Sequence, residues 1–235
     1  MTVYRIPDDE HVFPHPSLAE ASGLLGVGGD LAPQRLLLAY ANGIFPWYSE
    51  GQPILWFSPD PRCILIPAEL HIGRSLKKTL RKSAFKVTMD TAFSDVISAC
   101  KHTSRPGQEG TWITEEMRDA YIRLHRMGHA HSVEVWLGEE LVGGLYGVSL
   151  GNLFAGESMF SRASDASKTG LVWLVRQLEE WGFGLVDAQV HTDTLGRMGA
   201  VEVPRSEYLT SIGPLVSGGG RVGRWSFDAG FDPLD

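Results

Sequence analysis

Beyond Pro61 the hydrophobic and polar positions follow two periods in turn. "RCILIP", "AFKVTMD", "HSVEVWL", "ELVGGLYGVSL", "NLFAGESMF" and "LVDAQV" are short β-rich runs and read as strands. The pairs Gly138-Glu139 and Gly151-Asn152 supply the turns among the three longest. "TAFSDVISACKH", "TEEMRDAYIRLHRMG" and "SKTGLVWLVRQLEEWG" carry the helical period. In the last of these Leu171, Leu174, Val175 and Leu178 form one apolar stripe. The middle one has Thr114 as N-cap, acids in its first turn, basic residues in its last and Gly128 at its end. Before Pro61 the text is different. "GDLAPQRLLLAYANG" reads as a short helix with Asp30 as N-cap and Gly43 as its stop. "GIFPWYSEGQPILWFSPDP" is rich in Pro and Gly yet holds Phe45, Trp47, Tyr48, Trp56 and Phe57, so it is expected to pack or to bind. The pattern predicts a mixed α+β or α/β chain, with a small domain over 1–60 and a larger one over 61–235. The tail, with Gly218-Gly219-Gly220, is expected to be loose towards its end.

Composition narrows the class. The chain has 235 residues, 43% hydrophobic and 21% charged, as in an ordinary globular protein. No run approaches the roughly 18 apolar residues of a membrane span. The first ten residues hold Arg5, Asp8, Asp9 and Glu10 and no apolar block, so no signal peptide is read there. Cys63 and Cys100 stand in unrelated contexts, and with no export signal a cytoplasmic location is expected.

Charge adds one local feature. The net charge of −7 argues against coating nucleic acid nonspecifically. Yet Arg74, Lys77, Lys78, Arg81 and Lys82 follow the spacing of a single helix face. Such a face is either solvated or a track for phosphates.

Cofactor motifs fail on context. "GGGRVG" satisfies a dinucleotide fingerprint in form but follows no strand. There is no phosphate-binding G-x-x-x-x-G-K loop and no G-x-S-x-G elbow. His125, His129 and His131 are close in sequence, but Gly128 breaks their helix and no cysteine is near. No metal and no cofactor is expected.

Two strands break the core rule. In "LVDAQV", Asp187 and Gln189 stand two apart and are expected on one face, with Ala188 pointing the other way. In "FAGESMF", Glu157 and Met159 share a face in the same manner. A buried carboxylate must be paired, hydrogen-bonded or open to a site. One reading is a structural polar network tied to the loop Arg162–Lys168. The other is chemistry on an amine: a carboxylate to take a proton, an amide to accept from N–H and donate to a carbonyl.

The segments "GGDL", "GIFPWYSEGQPILWFSPDPR", "LHIGRSLKKTLRKS", "GTWIT", "LHRMGHAHSVEVW", "ELVGGLYGV", "GESMFSRASDASK" and "DAQV" closely resemble the leucyl/phenylalanyl-tRNA–protein transferase family, in order from Gly23 to Leu209. The resemblance implies a small N-terminal domain followed by a GNAT-like acyltransferase domain. It implies transfer of Leu, Phe and, less well, Met from aminoacyl-tRNA to the α-amine of proteins beginning with Arg or Lys, marking them for N-end-rule degradation. The family's Asp and Gln fall on Asp187 and Gln189, expected to orient and deprotonate the acceptor amine. Ala188 stands where Cys is common in the family, so no thiol is needed. The family's glutamate falls on Glu157, at the wall of a pocket whose candidate residues are Leu145, Phe154, Met159, Leu171, Leu174 and Val186. Trp47 and Trp112 match tryptophans near the 3′-terminal adenosine. The basic face from Arg74 to Lys82 would meet tRNA phosphates, and the loop Ser161–Ser167 would shape the entry. "HTDTLGRMGA" is less family-like and leaves the end of the acceptor channel open. A monomer is expected.

Two rival readings remain. A CoA-dependent N-acetyltransferase on the same fold would need a glycine-rich loop, and residues 161–167 contain no glycine. A noncatalytic aminoacyl-RNA-binding module would have no use for the Asp187/Gln189 pair.

Overall fold

A computed structural model describes residues 3–82, 84–103 and 113–234. Two sheets organise it. The smaller has the order β1 (Tyr4–Ile6), β2 (Leu24–Gly28), β4 (Leu55–Phe57), β3 (Phe45–Pro46), and only its β1–β2 pair is parallel. The helix α1 (Pro33–Ala41) lies between β2 and β3 in sequence. Its N-cap is Ala32. Asp30, expected there, lies two residues earlier and accepts from the Ala32 N–H at 2.7 Å and from Arg35. Pro33 at the helix start moves the cap forward, since its fixed φ suits the first turn.

The larger sheet holds β5 (Arg62–Leu65), β6 (Lys86–Met89), β7 (Ala130–Leu137), β8 (Glu140–Leu150), β9 (Leu153–Ser161), β10 (Leu185–Gln189) and β11 (Val201–Val203), in the order β11-β5-β10-β9-β8-β7-β6. Every neighbouring pair is antiparallel except β9–β10. The helices are α2 (Arg74–Arg81), α3 (Phe93–Lys101), α4 (Glu115–Arg126), α5 (Ala166–Glu180), α6 (Asp193–Arg197) and α7 (Arg205–Val216). Thr114 caps α4 by accepting from the Met117 N–H at 3.1 Å.

Alternation along β8 divides the core. Tyr146 and Val148 join the side built from α1, α3, α4 and the small sheet, where Leu36, Trp56, Val96 and Tyr121 are buried. Leu145 joins the other side, with Leu171, Leu174 and Val175 of α5. The sheet is thus covered on both faces. Among the described residues no helix is long and apolar enough to cross a membrane.

The tail is not loose. The Gly220 N–H donates to Asn152 and the Gly223 N–H to the Gly128 carbonyl, each at 3.1 Å. Trp225 is buried, stacks on His131 with ring centres 3.5 Å apart, and its N–H donates to Asp90 at 2.7 Å. Asp228 accepts from Gln177 and Trp181, each at 2.9 Å. Large aromatic area spaced along a polar tail outweighs the freedom of its glycines.

Candidate active site

The site forms where two paired strands part. β9 and β10 run parallel in register from Leu153/Leu185 to Ala155/Asp187, and the pairing ends there. Both strands are irregular at this point. Opposite β8, the pairing jumps from Tyr146↔Ser158 to Gly147↔Gly156, so Glu157 is an extra, bulged residue. Opposite β5 it jumps from Asp187↔Ile64 to Gln189↔Cys63, which makes Ala188 the extra residue. Gln189 follows with φ of +63°, left-handed backbone that side-chain-bearing residues rarely adopt. Bulges turn side chains off their alternating path and recur beside active sites.

The gap opens into a cavity of about 380 Å³. Leu145, Phe154, Met159, Leu171, Leu174 and Val186, the six expected wall residues, all line it. Glu157 and Gln189 line it too, and Trp47 closes one side with Phe45 and Pro46. Trp47 is half-buried and packs on Phe57 with ring centres 5.5 Å apart. Trp112 lies outside the described residues. The wall also takes Tyr146, Ala188, Thr192 and Leu195, which sequence reasoning missed.

The face expectations fail in both strands. Glu157, the bulged residue, turns to Tyr121 while Met159 packs on the α5 side of the sheet. Asp187 and Gln189 do not share a face: Gln189, Ala188 and Val186 border the cavity and Asp187 does not. The extra residue in β10 breaks the period of two on which the expectation rested. Asp187 lies behind the wall, 1% exposed, held at both oxygens by Arg62, through Nε at 2.8 Å and Nη2 at 2.6 Å. The Tyr208 hydroxyl donates to it at 2.7 Å and the Gln189 backbone N–H at 3.0 Å. Burial and the neighbouring Asp187 charge raise the Tyr208 hydroxyl well above its usual pKa. Burial alone would lower the Arg62 guanidinium, but the Asp187 carboxylate more than reverses this.

Among the described residues Glu157 is the carboxyl at the cavity. Gln189 donates to its Oε1 at 2.6 Å and Tyr121 to its Oε2 at 3.0 Å. Tyr121 is in turn in a short hydrogen bond with Tyr40. Burial pushes the Glu157 carboxyl up to about 7, with the hydrogen bonds from Tyr40, Gln189 and Tyr121 acting the other way. A carboxyl poised there exchanges a proton readily at neutral pH. Tyr40 and Tyr121 read in sequence as apolar helix positions. Their only signal is a hydroxyl on a residue the helical period buries.

The loop Ser161–Ser167 does not border the cavity. Asp165 draws it towards α2, accepting from Thr79 at 3.1 Å and pairing with Lys168. On α2, Leu76 is buried while Arg74, Lys77, Lys78, Arg81 and the following Lys82 are exposed. Among the described residues no cluster of His, Cys, Asp or Glu is arranged to hold a metal.

Comparison with known proteins decides the family. The family described as leucyl/phenylalanyl-tRNA protein transferase matches residues 64–213, and its N-terminal domain matches residues 29–60. The chain belongs to this family. It is an aminoacyltransferase. Proteins named leucyl/phenylalanyl-tRNA–protein transferase from Anaeromyxobacter sp. (strain Fw109-5), Nitratidesulfovibrio vulgaris (strain DP4) and Myxococcus xanthus are 55%, 54% and 53% identical to it. Each match covers 99% of this chain, and 99%, 100% and 100% of those proteins respectively. Among solved structures, L-PGS from Bacillus licheniformis is 9% identical over 72% of this chain and 53% of its own, with a TM-score of 0.40. A likeness that slight carries no argument about this transferase.

Proposed function

We propose that this aminoacyltransferase moves leucine or phenylalanine, and methionine less well, from aminoacyl-tRNA to the α-amine of proteins that begin with Arg or Lys, marking them for N-end-rule degradation. The observation that carries this is an apolar cavity with the Glu157 carboxyl, poised near neutrality, hydrogen-bonded to the Gln189 amide at its wall.

The cavity takes the donor side chain. Leu145, Phe154, Leu171, Leu174 and Val186 offer only apolar surface, and Met159 adds an adaptable thioether. Selection among apolar side chains then rests on shape: Leu, Phe and Met enter, and β-branched Ile and Val fit poorly. Trp47 stacks on the terminal adenosine. The exposed cations of α2 follow the phosphates.

The chemistry needs no ATP, because the donor is already an activated ester. The amine lone pair attacks the ester carbonyl carbon and a C–N bond forms. The nitrogen, now cationic, gives a proton to the Glu157 carboxylate. Collapse breaks the bond from carbon to the ribose oxygen, and that oxygen takes the proton back from Glu157. Gln189 keeps one N–H on Glu157 and has its carbonyl oxygen free to accept from the incoming amine. Asp187 acts from behind, holding the Gln189 backbone rather than touching the amine. We further read the chain as a cytoplasmic monomer, with a small domain to residue 60 and a GNAT-like domain from residue 61.

The test is incubation with labelled Phe-tRNA and peptides starting with Arg, Lys or Ala, without ATP or CoA. Label is expected on the first two peptides only. No transfer to any of them, from a folded protein, refutes the proposal.

A further inference from the structure

We infer that Arg62 is a positioning residue that sets two walls of the cavity at once, the Gln189 wall and the Phe45–Trp47 wall. This rests on the transferase reading above.

Arg62 opens β5, is 1% exposed and does not border the cavity. Each part of its guanidinium is engaged. Nε and Nη2 make the fork to Asp187. Nη1 donates to the Gly43 carbonyl at 3.1 Å, and Nη2 also reaches the Tyr208 hydroxyl at 3.4 Å. The guanidinium lies over the Phe45 ring at 5.0 Å and the Tyr208 ring at 4.6 Å.

Each contact leads to a cavity wall. Through Asp187 the fork fixes the Gln189 backbone N–H, at the residue whose left-handed φ aims its amide at Glu157. Through Gly43 and Phe45 the other side fixes the start of the Phe45-Pro46-Trp47 wall. Gly43 permits the approach: at its φ of +69° an added Cβ would stand 2.7 Å from the Tyr208 ring. A rigid planar fork can serve these directions together, and a lysine ammonium cannot. A small error in this brace is amplified, because a misplacement of about 1 Å at a reacting centre costs about 10²-fold in rate.

The contrasting view is that Arg62 only neutralises a buried carboxylate, with no bearing on the transfer step. Full-length wild type, Arg62→Lys, Tyr208→Phe, Asp187→Asn and the Arg62→Lys/Asp187→Asn double variant separate the two. Each is first checked for folding by near-UV circular dichroism. Two readouts follow: the single-turnover rate of Phe transfer at saturating donor, and the NMR position and exchange rate of the Gln189 side-chain NH2, assigned with Gln189→Glu.

In Arg62→Lys the rate is expected to fall by about 10- to 100-fold. Donor affinity should weaken as well, by up to about tenfold, as the Phe45-Pro46-Trp47 wall that holds the adenosine loosens. The Gln189 NH2 signal should shift and exchange faster. Tyr208→Phe, which keeps the ring under Arg62, should give a smaller change in the same direction. The double variant should be no slower than the slower single variant, because both act through one chain of contacts. A folded Arg62→Lys with a rate within about twofold of wild type and an unmoved Gln189 signal overturns the inference, as do losses that simply add. Should Arg62→Lys not fold, Tyr208→Phe decides, and an unchanged rate and signal there overturn it. Failure of wild type to transfer at all sinks the proposed function, while the NMR comparison still tests the brace.

Discussion

The side-chain amide of Gln189 donates to Oε1 of Glu157 at 2.6 Å, across the gap where β9 and β10 cease to pair. Both residues are placed by irregular strands, and both border the same apolar cavity. The pair joins a proton acceptor to an orienting group, and several consequences can be measured.

Replacing the amide should leave the fold and remove the orientation. Gln189→Ala is expected to lower single-turnover transfer by about 10²-fold, the usual scale for positioned proton transfer. Binding of a short aminoacyl-adenosine, followed by tryptophan fluorescence, should change little, since the apolar walls remain. A rate near that of wild type removes Gln189 from the chemistry.

Burial of Glu157 predicts a pH-dependent stability. Its carboxyl is raised from 4.5 to about 7, so between these values the folded state holds more protons than the unfolded state. Stability must fall as pH rises through that window, by about 3 kcal/mol at roughly 1.4 kcal/mol per unit. Glu157→Gln has no such proton to lose. Urea melts should show the variant gaining on wild type from acid pH to about 7 and holding its gain above that. A constant difference across pH contradicts the burial argument.

The cations of α2 make a separate prediction, because they lie away from the reacting atoms. Neutralising Lys77, Lys78 and Arg81 together should weaken tRNA binding and reduce the slope of log affinity against log salt by about 2–3. Transfer from an aminoacyl-adenosine lacking a stem should be unaffected. Equal loss with both donors shows that the helix serves the fold.

Leu174 tests the shape of the cavity. Leu174→Ala should admit Trp, and Ile and Val with less clash, while lowering Leu transfer, with shifts in relative rate of about 1–3 kcal/mol. The truncation also costs about 2–5 kcal/mol of stability, so a thermal melt comes first. Unchanged ratios among Phe, Leu, Ile and Trp in a folded variant place the discriminating contacts elsewhere.

Much of this architecture was legible because single segments carried it. Thr114 announced α4, and the stripe Leu171-Leu174-Val175-Leu178 announced the buried face of α5. The six residues that the resemblance pointed to as wall, on β8, β9, β10 and α5, all border the cavity. What failed to show depends on contacts between distant segments. An extra residue in β10 put Asp187 behind the wall and Gln189 on it, and a period of two cannot foresee that. Arg62, Tyr40 and Tyr121 look ordinary in their own segments and gain meaning only from Asp187 and Glu157, many residues away. The short strands of the small sheet and the aromatic anchors of the tail were hidden for the same reason.

The most direct test of the Glu157–Gln189 account is the pH dependence of single-turnover Phe transfer to an Arg-starting peptide, in wild type and Glu157→Gln. The peptide amine contributes its own rise near pH 7.7–8.0 in both proteins, as an ordinary α-amine of about that pKa. Wild type should show a further rise centred at about 7, where Glu157 ionises. Glu157→Gln should lose that rise, keep the amine's, and run about 10²-fold slower on the plateau. A variant that matches wild type in both rate and profile would contradict the account, since the proton would then leave the amine by a route that does not involve Glu157.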